Sequence, residues 1–156
     1  MQKFQKLARE ELQVKIKAQK SGHSGFPPNF IEHRNFLKLA SNLVDYGFIC
    51  SWLPVDDGGA DFICIHIRSA RVIKVQQKGR ITINEKYYGK DLYMAFPMND
   101  EEPDKNWVVV SHDELIPLFD TPANWKKNKG KHASKVSAGI WDSIVALSIV
   151  EPINFD

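Results

Sequence analysis

Apolar and polar positions change period several times along this chain, and each change marks an element. Residues 3–20 carry Phe4, Leu7, Leu12 and Ile16 among many Lys, Arg, Glu and Gln, a narrow apolar stripe that predicts a helix. Ser21-Gly22-His23-Ser24-Gly25 and Pro27-Pro28 break it. Over 29–46, Phe30, Phe36, Leu37, Leu39, Ala40, Leu43, Val44 and Tyr46 recur at helical spacing, with Gly47 placed as the C-cap. The period then shortens to that of strands. Residues 48–53 read as one strand, and 54–59, with Pro54 and Gly58-Gly59, as a turn. Two further apolar strands, 61–67 and 72–78, flank a polar turn at 68–71.

The pattern beyond them is less even. Residues 80–84 alternate like a strand, 85–91 read as a loop or short turn, and 92–97 and 107–111 are strands around an acidic tip. His112-Asp113-Glu114 begins a helix with Ser111 at its N-cap position. Residues 124–135 read as a loop, 137–149 as a closing helix, and the tail 151–156 as irregular.

The central hairpin carries the candidate chemistry. A turn centred between Ser69 and Ala70 sets Asp61 opposite Lys78 and Ile63 opposite Gln76. Opposed residues share a face, with Cβ atoms about 5 Å apart. Asp61, Gln76 and Lys78 then gather on one side of the sheet at one end of the hairpin. A carboxylate, an amide oxygen and an ammonium in that place suit a divalent cation and a phosphate. Taken singly, each has an ordinary use: Asp in a turn, Lys in solvent, Gln covering a sheet edge.

An Asp opening one strand, followed by a hairpin into Gln76-Gln77-Lys78, resembles the PD-(D/E)xK (restriction-endonuclease-like) nuclease superfamily in its divergent Gln-x-Lys form. The likeness spans roughly residues 29–119. It implies an α/β fold with a mixed central sheet of about five strands flanked by helices. It also implies a magnesium-dependent (or manganese-dependent) deoxyribonuclease, with Asp61, Gln76, the Gln77 carbonyl and Glu32 as metal ligands and Lys78 acting on water or phosphate. Glu32 is the only acidic residue in the first turns of its helix, and it equally suits the positive N-terminus of that helix. Many such domains dimerise to cut both strands, and the 3–20 helix is the surplus element for that. The rival reading is a module that keeps the fold and binds nucleic acid or a protein without catalysis; neutral Gln76 favours it.

Composition adds bounds. The chain of 156 residues, 43% hydrophobic and 26% charged, suits a single globular domain. Its net charge of +2 does not itself identify a nucleic-acid binder; the placement of charge says more. Lys126, Lys127, Lys129 and Lys131 crowd one segment, and Lys74, Arg80, Lys86 and Lys90, with Tyr87 and Tyr88, lie near the candidate site. Either set serves as a DNA-contacting surface or as a solvated loop. No apolar run approaches the roughly 20 residues that span a bilayer, and the N-terminus lacks a signal-peptide core. Cys50 and Cys64 lie in apolar surroundings and read as buried free thiols of a reducing, cytoplasmic compartment.

Overall fold

The computed structural model describes residues 25–119 and 130–155. The expected 3–20 helix and the side chains of Lys126, Lys127 and Lys129 lie outside the described residues. Two compact units divide the chain, Met1–Ile31 and Glu32–Asp156. In the first, Phe30 and Ile31 donate their backbone N–H groups to the Pro27 carbonyl, and the rings of Phe26 and Phe30 stack with centroids 4.4 Å apart.

Helix α1 spans Pro28–Leu43 and continues as a 3-10 turn, Val44–Tyr46, that closes on Gly47 with φ 84°. Only glycine adopts that left-handed conformation readily, so the expected C-cap is realised. Spacings of three and four bury Phe36, Leu39 and Leu43 on one stripe. That stripe lies on a five-stranded sheet.

Strands β1 (Phe48–Asp57), β2 (Ala60–His66), β3 (Val72–Gln77), β5 (Leu92–Pro97) and β6 (Trp107–Ser111) form this sheet in the order β1-β2-β3-β5-β6. β3 and β5 run parallel and the other neighbours antiparallel, so the sheet is mixed. Strand β4 (Ile81–Asn84) leaves it and pairs with β7 (Gly130–Ala133) in a separate two-stranded sheet. A 3-10 turn, Glu85–Tyr87, and helices α2 (His112–Phe119) and α3 (Ala138–Leu147) are the other elements among the described residues.

Period-two alternation divides the interior into two cores, one on each face of the sheet. Phe62, Cys64, Ile73, Val75, Tyr93, Ala95, Trp107 and Val109 face α1. Leu92, Met94, Phe96, Val108 and Val110 face the opposite way, onto Ile81, Ile83, Tyr87, Leu115 and Ile144. This second layer covers β5 and β6 and stops short of the β1–β3 end, where Ile49, Ile65 and Val72 stand 60, 43 and 52% exposed.

Several expectations need correction. β1 does not end at residue 53; it runs to Asp57, with its register shifting between Trp52 and Asp57, and the turn is Gly58-Gly59 alone. β1 is an edge strand, and a bulged edge accommodates Pro54, which has no N–H to donate. The β2–β3 register is Phe62–Val75 and Ile63–Lys74, two residues from the expected one. The turn sits earlier, with Ala70 at φ 55° and the His66 N–H donating to the Arg71 carbonyl.

The segment 130–133, expected as loop, is strand β7. The tail is irregular but belongs to the core: Ile153 exchanges both backbone hydrogen bonds with Trp107, and Ile153 and Phe155 are buried. Cys50 and Cys64 are not free thiols. They are directly paired across β1 and β2 with Cα atoms 4.1 Å apart, and are joined as a disulfide. Apolar surroundings predicted their burial; only the strand register brings one opposite the other. Among the described residues no helix is long and apolar enough to cross a membrane.

Candidate functional site

The two-residue change of register keeps every side chain on its expected face, because the side-chain period of a strand is two. Asp61 therefore still shares a face with Gln76, and now lies directly across from it. The Asp61 Oδ2 accepts from the Gln76 side-chain Nε2 at 2.6 Å and from the Gln77 backbone N–H at 2.8 Å. The same Gln76 Nε2 also reaches the Gln77 carbonyl oxygen at 3.3 Å. A carbonyl oxygen only accepts hydrogen bonds, so the amide end facing it must be the nitrogen.

Lys78 follows the end of β3. Its backbone N–H donates to the Ala95 carbonyl at 2.8 Å, and two residues beyond Gln76 its side chain returns to the same face. Glu32 comes from the first turns of α1. Together Glu32, Asp61, Gln76 and Lys78 line a cleft of about 490 Å³ with Gly58, Gly59, Lys86, Tyr87 and Lys90.

Burial pushes the Asp61 carboxyl up to about 6 from an ordinary value of 3.8; the Gln77 N–H opposes this, the Glu32 charge adds to it, and Lys78 and Gln76 lower it. A half-buried acid beside a second acid holds its proton more tightly than a free carboxyl does. Two carboxylates and the Gln77 carbonyl are hard oxygen donors of the kind that magnesium takes, so the chemistry of the donor set fits a divalent ion. Among the described residues no group of three or more His, Cys, Asp and Glu side chains is placed so that it could hold a metal ion. Any ion here would therefore rest on two acids and neutral oxygens.

The glycine turn and the segment after β4 make the far wall. Gly59 has φ 95°, and a Cβ there would lie 2.7 Å from Tyr87 Cε1, so the β1–β2 turn and the Tyr87 ring meet at a distance only glycine permits. The Tyr87 segment is held from beneath by α2. His112, fully buried, accepts the Asn84 N–H at its Nε2 (3.1 Å), and its Nδ1 lies 2.9 Å from Asp113 Oδ1. Asp113 Oδ2 in turn accepts the Gly89 N–H at 3.0 Å. Burial lowers the His112 pKa against the opposing pull of Asp113, which keeps Nε2 available as an acceptor.

Of the basic residues singled out from sequence, Lys86 and Lys90 line the cleft. Lys74 sits within β3, paired with Ile63 and Leu92, and Arg80 is exposed beyond the strand; neither lines the cleft. The Lys131 ammonium donates to the Phe119 carbonyl at 2.7 Å, so it is engaged at the end of α2. The sequence reading missed the side chain of Gln77, which is buried and donates to the Glu32 backbone carbonyl at 2.6 Å. The available signal was parity: Ile73, Val75 and Gln77 share a face, so a polar group was due among apolar ones.

No protein-family model, curated protein or solved structure gives a match to the chain.

Proposed function

We propose that this chain is a divalent-cation-dependent deoxyribonuclease with a restriction-endonuclease-like core of PD-(D/E)xK type. The observation that carries the reading is the convergence of Asp61, Gln76, Lys78 and Glu32 in one cleft at the end of the β2–β3 hairpin. Asp61, Glu32 and the Gln77 carbonyl would hold magnesium or manganese; Gln76, expected as a further ligand, turns its amide nitrogen and not its oxygen toward Asp61. When bound, the ion supplies charge neutralisation at the phosphate and a more acidic water.

The chain's own groups account for the rest. Gln77 fixes both acids at once, Asp61 through its backbone N–H and the Glu32 main chain through its side-chain amide. Lys78 brings a compact ammonium to the scissile phosphate and stabilises the charge that develops on its oxygens as water adds to phosphorus. The bond to the leaving oxygen breaks as that oxygen takes up a proton. Lys86 and Lys90 face the same cleft and meet the neighbouring phosphates of the strand. A homodimer would present two such clefts, one per strand.

The test is cleavage of supercoiled plasmid, branched DNA and single-stranded DNA with Mg²⁺ or Mn²⁺. Wild type is expected to cut, and Lys78→Ala to cut about 10²-fold more slowly or not at all while still binding DNA. If neither protein cuts any substrate and both bind DNA equally, catalysis is abandoned. One observation favours that second reading, a non-catalytic nucleic-acid-binding module. Where a third acid would strengthen a cation site, the chain has Gln76, whose amide nitrogen rests on Asp61.

A further inference from the structure

We infer that the Gln76 side-chain amide is an internal competitor of the cation, occupying the acceptors that an ion must take. The inference rests on the reading that this cleft binds a divalent ion. Its basis is the position of one atom. Gln76 Nε2 lies 2.6 Å from Asp61 Oδ2 and 3.3 Å from the Gln77 carbonyl oxygen. The first belongs to a residue that lines the cleft, the second to the backbone of the residue next to Gln76, and both are hard oxygens. A donor that bridges two acceptors does electrostatically, and with partial charge, what a cation between them does with full charge. The two cannot share the space.

The arrangement is built rather than incidental. Gln76 is 6% exposed, and its backbone is locked in β3 between β2 and β5. The Gln77 N–H holds Asp61 Oδ2 toward that amide from the adjacent peptide. The Gln76 side chain itself lines the cleft, the side from which an ion would enter. Each binding event therefore forfeits a hydrogen bond between an amide and a carboxylate. The consequence is a site of weakened affinity that fills only where the ion is plentiful or arrives with a phosphate to share it.

The experiment reads the sign of one change. Mn²⁺ affinity of the full chain is measured by electron paramagnetic resonance for wild type, Gln76→Ala and Gln76→Met, with circular dichroism to confirm folding. Met keeps the length of Gln without its donor, so it stands in if the Ala variant fails to fold. Removing the donor is expected to tighten Mn²⁺ binding by about 10- to 100-fold in either variant, the size of a forfeited charge-assisted hydrogen bond. Weaker binding overturns the inference, since it means that the amide oxygen is a ligand. Unchanged binding overturns it too, as does an absence of binding in all three proteins. Plasmid cleavage by the wild type separates the two levels. If wild type cuts with Mg²⁺ while the variants bind Mn²⁺ no tighter, the nuclease stands and the competitor role falls. If wild type does not cut but the variants bind Mn²⁺ more tightly, the competitor role stands and catalysis falls.

Discussion

Asp61 gathers the strongest electrostatic effects in the cleft, and its titration has a calculable consequence for stability. Its folded-state pKa, about 6, lies above the ordinary 3.8. The folded chain therefore binds this proton more tightly than the unfolded chain does, and stability falls as pH rises between those two values. Asp61→Asn is expected to be more stable than wild type above pH ~6, by about 1–2 kcal/mol after allowance for solvent screening at a part-exposed group. The difference should vanish below pH ~4, as read by urea denaturation across that range. Proton and cation compete for the same oxygens, so Mn²⁺ binding should weaken as pH drops through ~6. An affinity flat from pH ~5 to ~7.5 would remove Asp61 from the ion's ligands. The identities of Asp61, Gln76 and Lys78 and their common face were legible in the sequence. That the Gln76 amide nitrogen rests on Asp61 was not, because the expected register set Gln76 opposite Ile63, and only the observed one puts an amide donor across from the carboxylate.

At the scale of elements, the hairpin turns decide where the site's walls meet. Gly59→Ala places a methyl group 2.7 Å from the Tyr87 ring at a backbone φ of 95°. It should lower stability by about 1–3 kcal/mol in chemical denaturation and displace Tyr87 from the cleft, which its fluorescence or ring NMR signals would report. Full stability in this variant would mean that the turn and the ring do not touch. The Cys50–Cys64 disulfide spans 14 residues and joins the edge strand to the sheet. Denatured, non-reduced protein should show no free thiol to Ellman's reagent, and a dithiol reductant should lower stability by about 2–3 kcal/mol. Strands β5 and β6 and helix α1 were legible because their apolar periods are strong and their ends carry Pro, Gly or polar residues. The end of β1, the turn of the β2–β3 hairpin and strand β7 were not. Those depend on pairing partners, and a pairing register leaves little mark on a single strand's own residues.

Across the whole molecule, the cleft exists because the second layer covers only part of the sheet. Its edge is Tyr87, held by β4, β7 and α2, and the open remainder of that face begins at Asp61 and Gln76. The opposite core is closed by the tail. Ile153 pairs with Trp107, and Phe155 stacks on the Trp107 ring with centroids 4.9 Å apart. Ile153→Ala is expected to destabilise by about 2–4 kcal/mol, the range for a large-to-small change at a buried site. A thermal midpoint equal to that of wild type would contradict the tail's place in the core.

By itself the sequence determined the order and type of most elements, the face on which each strand residue lies, and the residues that furnish carboxylate, amide and ammonium to one end of a hairpin. These follow from local periodicity and from turn-forming residues, which act over a few positions. Only the tertiary structure decided the register that sets Asp61 against Gln76, and the union of Cys50 with Cys64. It also decided the docking of Tyr87 on Gly59 and the grip of Gln77 on the Glu32 main chain. Each of these is a meeting of groups distant along the chain. Such meetings are chosen by the packing of whole layers and the satisfaction of buried polar groups, neither of which any short stretch of residues carries alone.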